Sequence, residues 1–376
     1  MKFSCQATDL MNALKAAQSV ADARPVRPIY ECVRIDADDN GITVTGGNSE
    51  QQISSFVEAD VQDGGVVAVP MKVLSGYVSA LTDEVKIVSD KRGSITIKSG
   101  SLKAAIAGQD VNDYAVLDIG TEPVFTADAA AFATAISSVA FAIGSDKSDP
   151  KRILISAHVE VDEGGHGVAV AMSDKKMGHY VFSANMISET PVEFNIPAQT
   201  IKPLCSVLQG QDTFSFYIEK YVVKVVTEER TFIFPEVAGK YVEWQRVLNS
   251  SKHDKFAKAT IPSLSDAIRF SGVSGKNGET FLANLHFSKA DQTLSISSRG
   301  VISDSKAEIG IDYSGDDLDI AFDIRVLQEA VNFCAATGAD DVEIAMSGPA
   351  SIASVRPIDV NDNALALIMP VRTVAV

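Results

Sequence analysis

Apolar and polar residues follow a pattern along this chain that occurs three times. In each occurrence a short apolar strand runs directly into a helix, and the three junctions lie 127 and 126 residues apart. They are Pro70–Leu74, Pro197–Ile201 and Asp323–Leu327. A repeat with few units, each large enough to hold its own core, indicates similar domains in series and not a solenoid of small units.

Each third of the chain carries the same predicted elements in the same order. Apolar residues at helical spacing behind a cap residue predict that every domain starts with a helix. These first helices are expected from Thr8, Thr126 and Pro262. Alternation of apolar and polar residues across Gly- or Asp-rich bends then predicts a hairpin, followed by a third strand. The hairpins are expected over 33–45, 158–172 and 285–297.

The second half of each repeat has the same composition as the first. Second helices are expected over 70–81, 197–208 and 323–335, and a three-stranded run follows each of them from Asp83, Asp212 and Asp341. Every domain therefore holds two copies of a unit made of one strand, one helix and three strands. Alternating strands have one covered face, so helices are expected on one side of the sheets only, inside, with the sheets outside.

This organisation predicts an α+β protein of three similar domains, with boundaries at 1–123, 124–252 and 253–376. The length of 376 residues suits two or three domains, and 46% hydrophobic residues are ordinary for a globular protein. The N-terminus lacks the apolar stretch of a secretory signal, and no run of about 18 apolar residues occurs. We expect a cytoplasmic protein without a membrane segment.

The cysteines and the charge exclude several classes of function. Cys5, Cys32, Cys205 and Cys334 are far apart in the sequence and form no CxxC pair, so buried free thiols are expected instead of a zinc site or a disulfide framework. A net charge of −16 argues against a protein that coats nucleic acid indiscriminately.

The predicted helices differ in charge from the rest of the chain. Their cations and acids balance, so the remainder carries the whole negative charge, and four of the five acids are expected in first turns, where they offset the helix dipole. The cations are Lys15, Lys72, Lys202, Arg269 and Arg325; the acids are Asp9, Asp128, Asp266, Asp323 and Glu329. Beyond the first turns the helices are mildly basic.

Several motifs resemble catalytic or binding sites without completing them. Asp36 to Gly41 matches the first half of a calcium loop, but Gly47 stands where a bidentate Glu is needed, so a hairpin turn at Asn40-Gly41 is the better interpretation. Gly272 to Lys276 lacks the Ser or Thr and the glycine spacing of a phosphate loop. The histidines show no HExxH spacing. No catalytic residue, metal or cofactor is expected.

Four segments carry a resemblance to a known family. They are Thr231–Phe234 with Gly239–Leu248, the ending Leu365–Arg372, the start Met1–Phe3, and Arg24-Pro25. Together they resemble the bacterial sliding clamp, the beta subunit of DNA polymerase III. The resemblance covers the whole chain and agrees with the triplication.

The resemblance implies a closed ring. Two chains would pair head to tail, domain one of each against domain three of the other, around duplex DNA, with twelve helices lining the hole. Such a ring tethers a polymerase without reading sequence, because phosphate contacts position a duplex but carry no sequence information. By the resemblance Arg24 and Lys151 or Arg152 contact the DNA backbone, and the helix cations Lys72, Lys202, Arg269 and Arg325 join them. The family's aromatic residues beside this loop are replaced by Ile153 and Leu154.

The family also has two protein contact regions. The dimer seam is expected at Lys103, Ala104 and Ile106 facing Gly272 and Val273, with Asp304 and Glu308 as the acids on the second side. A groove between domains two and three is expected to receive short peptide motifs from the polymerase alpha subunit, the clamp loader, and repair and translesion polymerases. The matching groove positions are Ile155, Met172, Asp174, Lys175, Met177, Val242, Arg246, Val247, Ser354, Leu367, Ile368, Met369, Pro370, Val371 and Arg372.

This groove departs from the family's pattern at two places. Met172–Met177 replaces a Thr-Asp-Gly-His-Arg-Leu run, and Val242 stands where Pro is usual. Packing in a core or a domain seam is an alternative role for the apolar members. Alternatives for the whole chain are a cytoplasmic multidomain enzyme with an interdomain cleft, and a repeat-built structural or adhesion protein. The second should carry an export signal and more Thr or Asn.

Overall fold

The computed structural model describes residues 1–120, 122–144, 152–250, 252–275, 281–360 and 364–372. The chain forms two compact units. Unit 1 comprises Met1–Ala133, Ala184–Thr190 and Gln199–Glu236, and unit 2 comprises Thr134–Ser183, Pro191–Ala198 and Val237–Val376. Within the described ranges, no helix is long and apolar enough to cross a membrane.

The elements of the first third follow the predicted order. They are β1 (Lys2–Gln6), α1 (Ala7–Gln18), β2 (Cys32–Asp38), β3 (Gly41–Gly47), β4 (Gln52–Val57), β5 (Asp60–Asp63), β6 (Gly65–Pro70), α2 (Met71–Val78), β7 (Glu84–Ser89), β8 (Ile95–Ser99) and β9 (Leu102–Ile106). The sequence 36–41 forms the end of the β2–β3 hairpin, in which Asp38 pairs with Gly41. The hairpin interpretation of this segment is therefore confirmed.

The middle third repeats this order and adds a short helix. Its elements are β10 (Phe125–Asp128), α3 (Ala129–Val139), β11 (Ser156–Val161), β12 (His166–Met172), β13 (Lys176–Met186), β14 (Val192–Pro197), α4 (Ala198–Leu208), β15 (Thr213–Glu219), β16 (Val222–Val226), β17 (Arg230–Pro235) and α5 (Trp244–Ser250). Helix α5 lies within the segment that carries the family resemblance, and the periodicity did not predict it.

The last third completes the series. Its elements are β18 (Lys255–Thr260), α6 (Ile261–Gly275), β19 (Leu282–Ser288), β20 (Thr293–Arg299), β21 (Asp304–Gly310), β22 (Asp312–Ser314), β23 (Leu318–Asp323), α7 (Ile324–Ala335), β24 (Asp341–Met346), β25 (Ala353–Pro357) and β26 (Ala364–Ile368). Residues 272–274 belong to helix α6, so this stretch is not a phosphate loop.

The α+β class and the six strand, helix, three-strand units are confirmed, and the short strands β5 and β22 are additions that were not predicted. One expectation was wrong: each third begins with a strand, β1, β10 or β18, and not with a helix. These strands are only four to six residues long and run straight into the helix, so the helical periodicity masked them. The domain boundaries at 123 and 252 stay a prediction.

In unit 1 the helices cover one face of the sheets. Helix α1 contacts α2 and the β3 and β4 strands, and the apolar core includes Leu10, Leu14 and Leu74. Gly46 allows β3 to approach α1 closely, because a Cβ there would lie 2.5 Å from the Ala17 Cβ. Four phenylalanines form a second cluster in this unit; they are Phe125, Phe132, Phe214 and Phe216.

In unit 2 the helices α6 and α7 pack against each other and against strands of the last third. Helix α7 covers one face of β25 and β26, with Leu327, Ala330 and Val331 fully buried. Alternate residues of β26 face it, since Ala364, Ala366 and Ile368 are buried on one side while Leu365 and Leu367 belong to a cluster on the other.

Both units contain a sheet that is continued by a strand from another third of the chain. In unit 1, β17 pairs antiparallel with β4, placing Phe232 opposite Ile53. In unit 2, β26 pairs antiparallel with β13, placing Leu367 opposite Met177. In each case the final strand of one third of the chain, β17 or β26, lies beside the strand that ends the first three-strand run of another third, β4 or β13. Strand β9 is the remaining strand of the first kind and β21 the remaining strand of the second kind. Among the described residues each of them is at the edge of its sheet.

The helix acids lie mostly where they were expected. Asp9 is in the first turn of α1, and the Asp128 and Asp323 carboxylates accept hydrogen bonds from the first-turn amides of Ala131 and Arg325. Asp266 is an exception, because α6 begins at Ile261 and places this residue in the second turn. Its carboxylate instead pairs with Arg269, at 2.8 Å.

Candidate functional site

An apolar hollow of about 220 Å³ lies in unit 2, and we call it the methionine hollow. Its wall is formed by residues of the β12–β13 hairpin, of α5, and of the segments around β25 and β26. The lining residues are Met172, Ser173, Asp174, Lys176, Met177, Val247, Ile352, Leu367 and Met369. Three of the nine are methionines, whose flexible side chains fit varied apolar partners.

Strand pairing positions Met172, Met177 and Leu367 in this wall. Met172 and Met177 are opposite each other at the end of the β12–β13 hairpin. Leu367 pairs with Met177 and with Ser354, so all three lie on one face of neighbouring strands. The Met369 amide donates to the Lys175 carbonyl, at 2.8 Å, and holds the chain beyond β26 beside the hairpin.

A polar network supports the segment 241–244 behind the hollow. The Tyr241 ring stacks on the His158 imidazole with centroids 4.7 Å apart, and the Tyr241 hydroxyl accepts a hydrogen bond from the Met172 amide. The Trp244 indole donates to Glu160, at 2.9 Å. The His158 contact, followed by the Trp244 hydrogen bond, holds the pKa of the Glu160 carboxyl below its usual value despite partial burial.

One ion pair borders the hollow. The Lys176 ammonium contacts the Glu329 carboxylate of α7 at 2.5 Å and lies 5.7 Å from the centre of the Phe141 ring. The Lys176 side chain is only 16% exposed, so this pair is shielded more than a surface pair. It fixes the first residue of β13 against α7.

The structure brings part of the predicted groove together. Met172, Asp174, Met177, Val247, Leu367 and Met369 line the methionine hollow. Val242 packs on the adjoining apolar cluster, and Ser354 lies beside Leu367. Strand alternation turns Ile368 toward the α7 side, where it is fully buried, so it is not at the surface of this hollow and its place in the groove stays a prediction. The predicted members Ile155, Lys175, Arg246, Pro370, Val371 and Arg372 are not among the lining residues.

The sequence reasoning missed Ser173, Lys176 and Ile352 in this wall. Ser173 and Lys176 lie next to predicted residues at the end of the β12–β13 hairpin, and this proximity in sequence could have indicated them. Ile352 precedes β25 by one residue, and only the pairing of β25 with β26 brings it near Leu367. That pairing lies within the predicted three-strand run, whereas the pairing of β26 with β13, which brings this run beside the hairpin, joins distant residues and has no local signal.

The predicted DNA-contacting cations fall into three groups. Arg24, Lys72 and Lys202 are exposed. Arg269 and Arg325 are also exposed but pair with Asp266 and Asp323, at 2.8 and 2.6 Å. Lys151 lies outside the described residues, and only the backbone of Arg152 is described, at the start of the turn Arg152–Ile155.

The predicted dimer residues are at the two edge strands or on α6. Lys103 and Ala104 line an apolar hollow of about 220 Å³ with Tyr77, Leu81 and Leu102. The Ile106 side chain is 4% exposed and packs in the unit 1 core, so its place in the seam stays a prediction. Val273 is 60% exposed on α6, as is Phe270, which the sequence analysis did not name.

Comparisons with known proteins agree with this architecture. Residues 1–118 match the family model of the DNA polymerase III beta subunit, N-terminal domain. The chain is 22% identical to the beta sliding clamp of Pseudomonas aeruginosa over 99% of this chain and 100% of that protein. It is 24% identical to the beta sliding clamp of Halalkalibacterium halodurans, over 93% and 94%.

Solved structures share the fold. The DNA polymerase beta subunit of Streptococcus pyogenes superposes with a TM-score of 0.91 at 20% identity, covering 99% of this chain and all of that one. The Pseudomonas aeruginosa sliding clamp bound to griselimycin gives a TM-score of 0.90 at 22% identity, with the same coverage. These likenesses show that the chain has the fold of these sliding-clamp structures.

Proposed function

We propose, from the likeness of this chain to DNA polymerase III beta subunits along nearly its whole length, that it is a homodimeric DNA sliding clamp. Two chains pair head to tail and encircle duplex DNA in the cytoplasm. The chain performs no catalysis itself. It keeps a replicative polymerase at the primer end by raising its effective concentration there.

The edge strands β9 and β21 are the observation that supports the proposed head-to-tail dimer. Two of the three strands that end a domain, β17 and β26, already lie beside the third strand of another third of the chain. Strand β9 and strand β21 are the remaining pair of the same kind. Antiparallel pairing of β9 with β21 of a second chain completes the pattern, and the second chain does the same in return.

Side chains near the two edges suit this contact. Beside β9 is the apolar hollow lined by Tyr77 and Leu102, and Leu102 is 58% exposed. Beside β21 is helix α6, which exposes Phe270 and Val273. Glu308 of β21 already contacts Lys306 of the same strand, at 3.7 Å, so the apolar side chains are the stronger support. The exposed apolar surfaces at the two edges are complementary across the proposed seam.

The exposed cations support contact with the DNA backbone. Arg24, Lys72 and Lys202 are solvent-exposed, so their charge can meet phosphates without first breaking an ion pair among the described residues. Phosphate contacts of this kind give no sequence preference, which a sliding protein requires.

The methionine hollow supports binding of short peptide motifs. Its size suits one or two apolar side chains, and Met172, Met177 and Met369 can adjust around different anchors. The proposed ligands are segments of the polymerase alpha subunit, the clamp loader, and repair and translesion polymerases.

A topological retention assay tests the proposal. Labelled protein is loaded by its clamp loader onto nicked circular DNA and followed by gel filtration before and after the circle is cut. We expect it to remain on the circle and to leave after linearisation, because the linkage and not affinity holds it. Equal retention on both forms of DNA contradicts a clamp.

A further inference from the structure

A compact group of ligating side chains lies on one face of the β11–β14 pair in unit 2. His158 and Glu160 are two residues apart on β11, and Glu193 is directly opposite Glu160 on β14. One ligand atom from each of the three lies within 4.8 Å of the other two. We infer that these residues bind one divalent transition-metal ion of the zinc class.

The hydrogen bonds of Asn195 fix the state of the histidine. The Asn195 amide nitrogen donates to the Val237 and Gly239 carbonyls, at 3.0 Å each, so its oxygen is the atom that faces the His158 Nδ1, at 2.8 Å. Nδ1 therefore carries a proton and donates. Metal-ligating histidines typically donate the other ring nitrogen in this way, and His158 is 2% exposed and cannot swing out.

The other ring nitrogen meets a carboxylate. His158 Nε2 lies 2.9 Å from the Glu160 Oε1. With the proton on Nδ1, the imidazole presents its Nε2 lone pair toward the same point as the Glu160 Oε1. One metal ion at this point can be bound by both atoms.

Two further features favour a metal ion at this point. Glu160 and Glu193 are directly opposed in an antiparallel pair, where like charges are destabilising. A divalent ion at this point neutralises both carboxylates. In addition, Trp244 donates to Glu160 and orients it, as an outer-shell partner does.

The ligand set indicates the kind of ion. One imidazole nitrogen and two carboxylate oxygens suit zinc and its neighbours, while magnesium and calcium prefer oxygen alone. Glu193 is exposed, so the ion can enter from solvent and keep a water ligand. The sequence analysis predicted no metal, because the ligands come from two strands and not from one helical motif.

Cobalt titration of the full-length protein tests this site independently of any clamp activity. Trp244 is the single tryptophan of the chain, and its indole contacts Glu160, so its fluorescence reports on the site. We expect saturable quenching at one Co²⁺ per chain and competition by Zn²⁺. Glu193→Gln should weaken binding about tenfold or more, since even outer-shell changes cost about 10 to 100-fold.

Matched variants separate the site from surface binding. Glu219→Gln changes an exposed glutamate at the end of β15 in unit 1 and should leave the titration unchanged. Glu193 is exposed, so its variant should retain the fold, which circular dichroism checks. The inference is overturned if no saturable quenching occurs or if Glu193→Gln binds like the parent. It is equally overturned if the histidine changes His166→Gln and His286→Gln, both at exposed sites, abolish the signal.

Discussion

Neighbouring side chains at the end of β26 have different roles. Leu367 is 2% exposed and belongs to the apolar cluster of unit 2, whereas Met369 is 45% exposed at the rim of the methionine hollow. The first holds the wall together, and the second is free to contact a ligand. Stability and binding can therefore be separated by single substitutions.

Met369→Ala should weaken binding of a polymerase-derived peptide without changing stability. The exposed thioether contributes little to folding, but loss of an interface anchor typically costs about 1 kcal/mol or more, which lowers affinity about fivefold or more. Fluorescence anisotropy measures the affinity and thermal unfolding measures the stability.

Two control variants accompany the measurement of peptide affinity and stability. Val116→Ala removes an equally exposed side chain outside the hollow and should leave affinity unchanged. Leu367→Ala should lower the free energy of unfolding by about 2 to 5 kcal/mol, as truncation of a buried leucine does. Unaltered peptide affinity in Met369→Ala would remove the hollow from the binding surface.

The cysteines confirm the expectation of free thiols. Cys5, Cys32 and Cys334 are buried, and Cys205 is partly buried. Burial raises the pKa of the Cys5 and Cys334 thiols to about 12 and that of Cys32 and Cys205 to about 11. A raised pKa leaves less thiolate, which is the reactive form.

The native protein should therefore resist thiol reagents at pH 8. With a pKa of about 11, only about one thiol in a thousand is ionised at that pH. Ellman's reagent should find no fast-reacting thiol in the folded chain and all 4 after denaturation. Rapid modification of one native cysteine would contradict the assigned burial.

At the scale of elements, sequence predicts what is local. Helices such as α7 and hairpins such as β2–β3 lie where periodicity and turn residues indicated, because both signals are contained in one segment. Pairing of β17 with β4 joins residues far apart in the chain and has no periodic signature. The same reason explains why Ile352 was missed, since the hollow forms where β26 pairs with the distant β13. It also explains why the His158 group was not foreseen, since β11 pairs with β14.

The edge of β9 yields a prediction at this scale. Leu102→Asp places a charge on the apolar seam proposed for the dimer, while its exposure of 58% in the single chain predicts little effect on folding. We expect sedimentation at micromolar concentration to shift from dimer to monomer. Ile187→Asp, at a similarly exposed position away from β9, serves as the control. A dimer in both variants would exclude β9 from the seam.

For the whole molecule, the net charge weakens binding to DNA, whereas the proposed ring topology keeps the protein on DNA. A chain of net charge −16 should bind open duplex weakly, and that binding should disappear as salt rises. A linked ring is insensitive to the same change. We predict that 0.5 M salt, roughly triple the physiological level, abolishes gel-shift binding to linear DNA but leaves loaded protein on closed circles. Loss from circles at that salt would indicate ordinary affinity.

The joined strands have a mechanical consequence. Strands β17 and β26 are tethered by their own chain to the strands they meet, so each rejoins at once after a fluctuation, at a local concentration in the millimolar range. The proposed contact of β9 with a second chain has no covalent tether, so its rate of closure depends on the concentration of the protein. In the proposed ring, a protein that lets DNA enter is therefore expected to open the contact at β9.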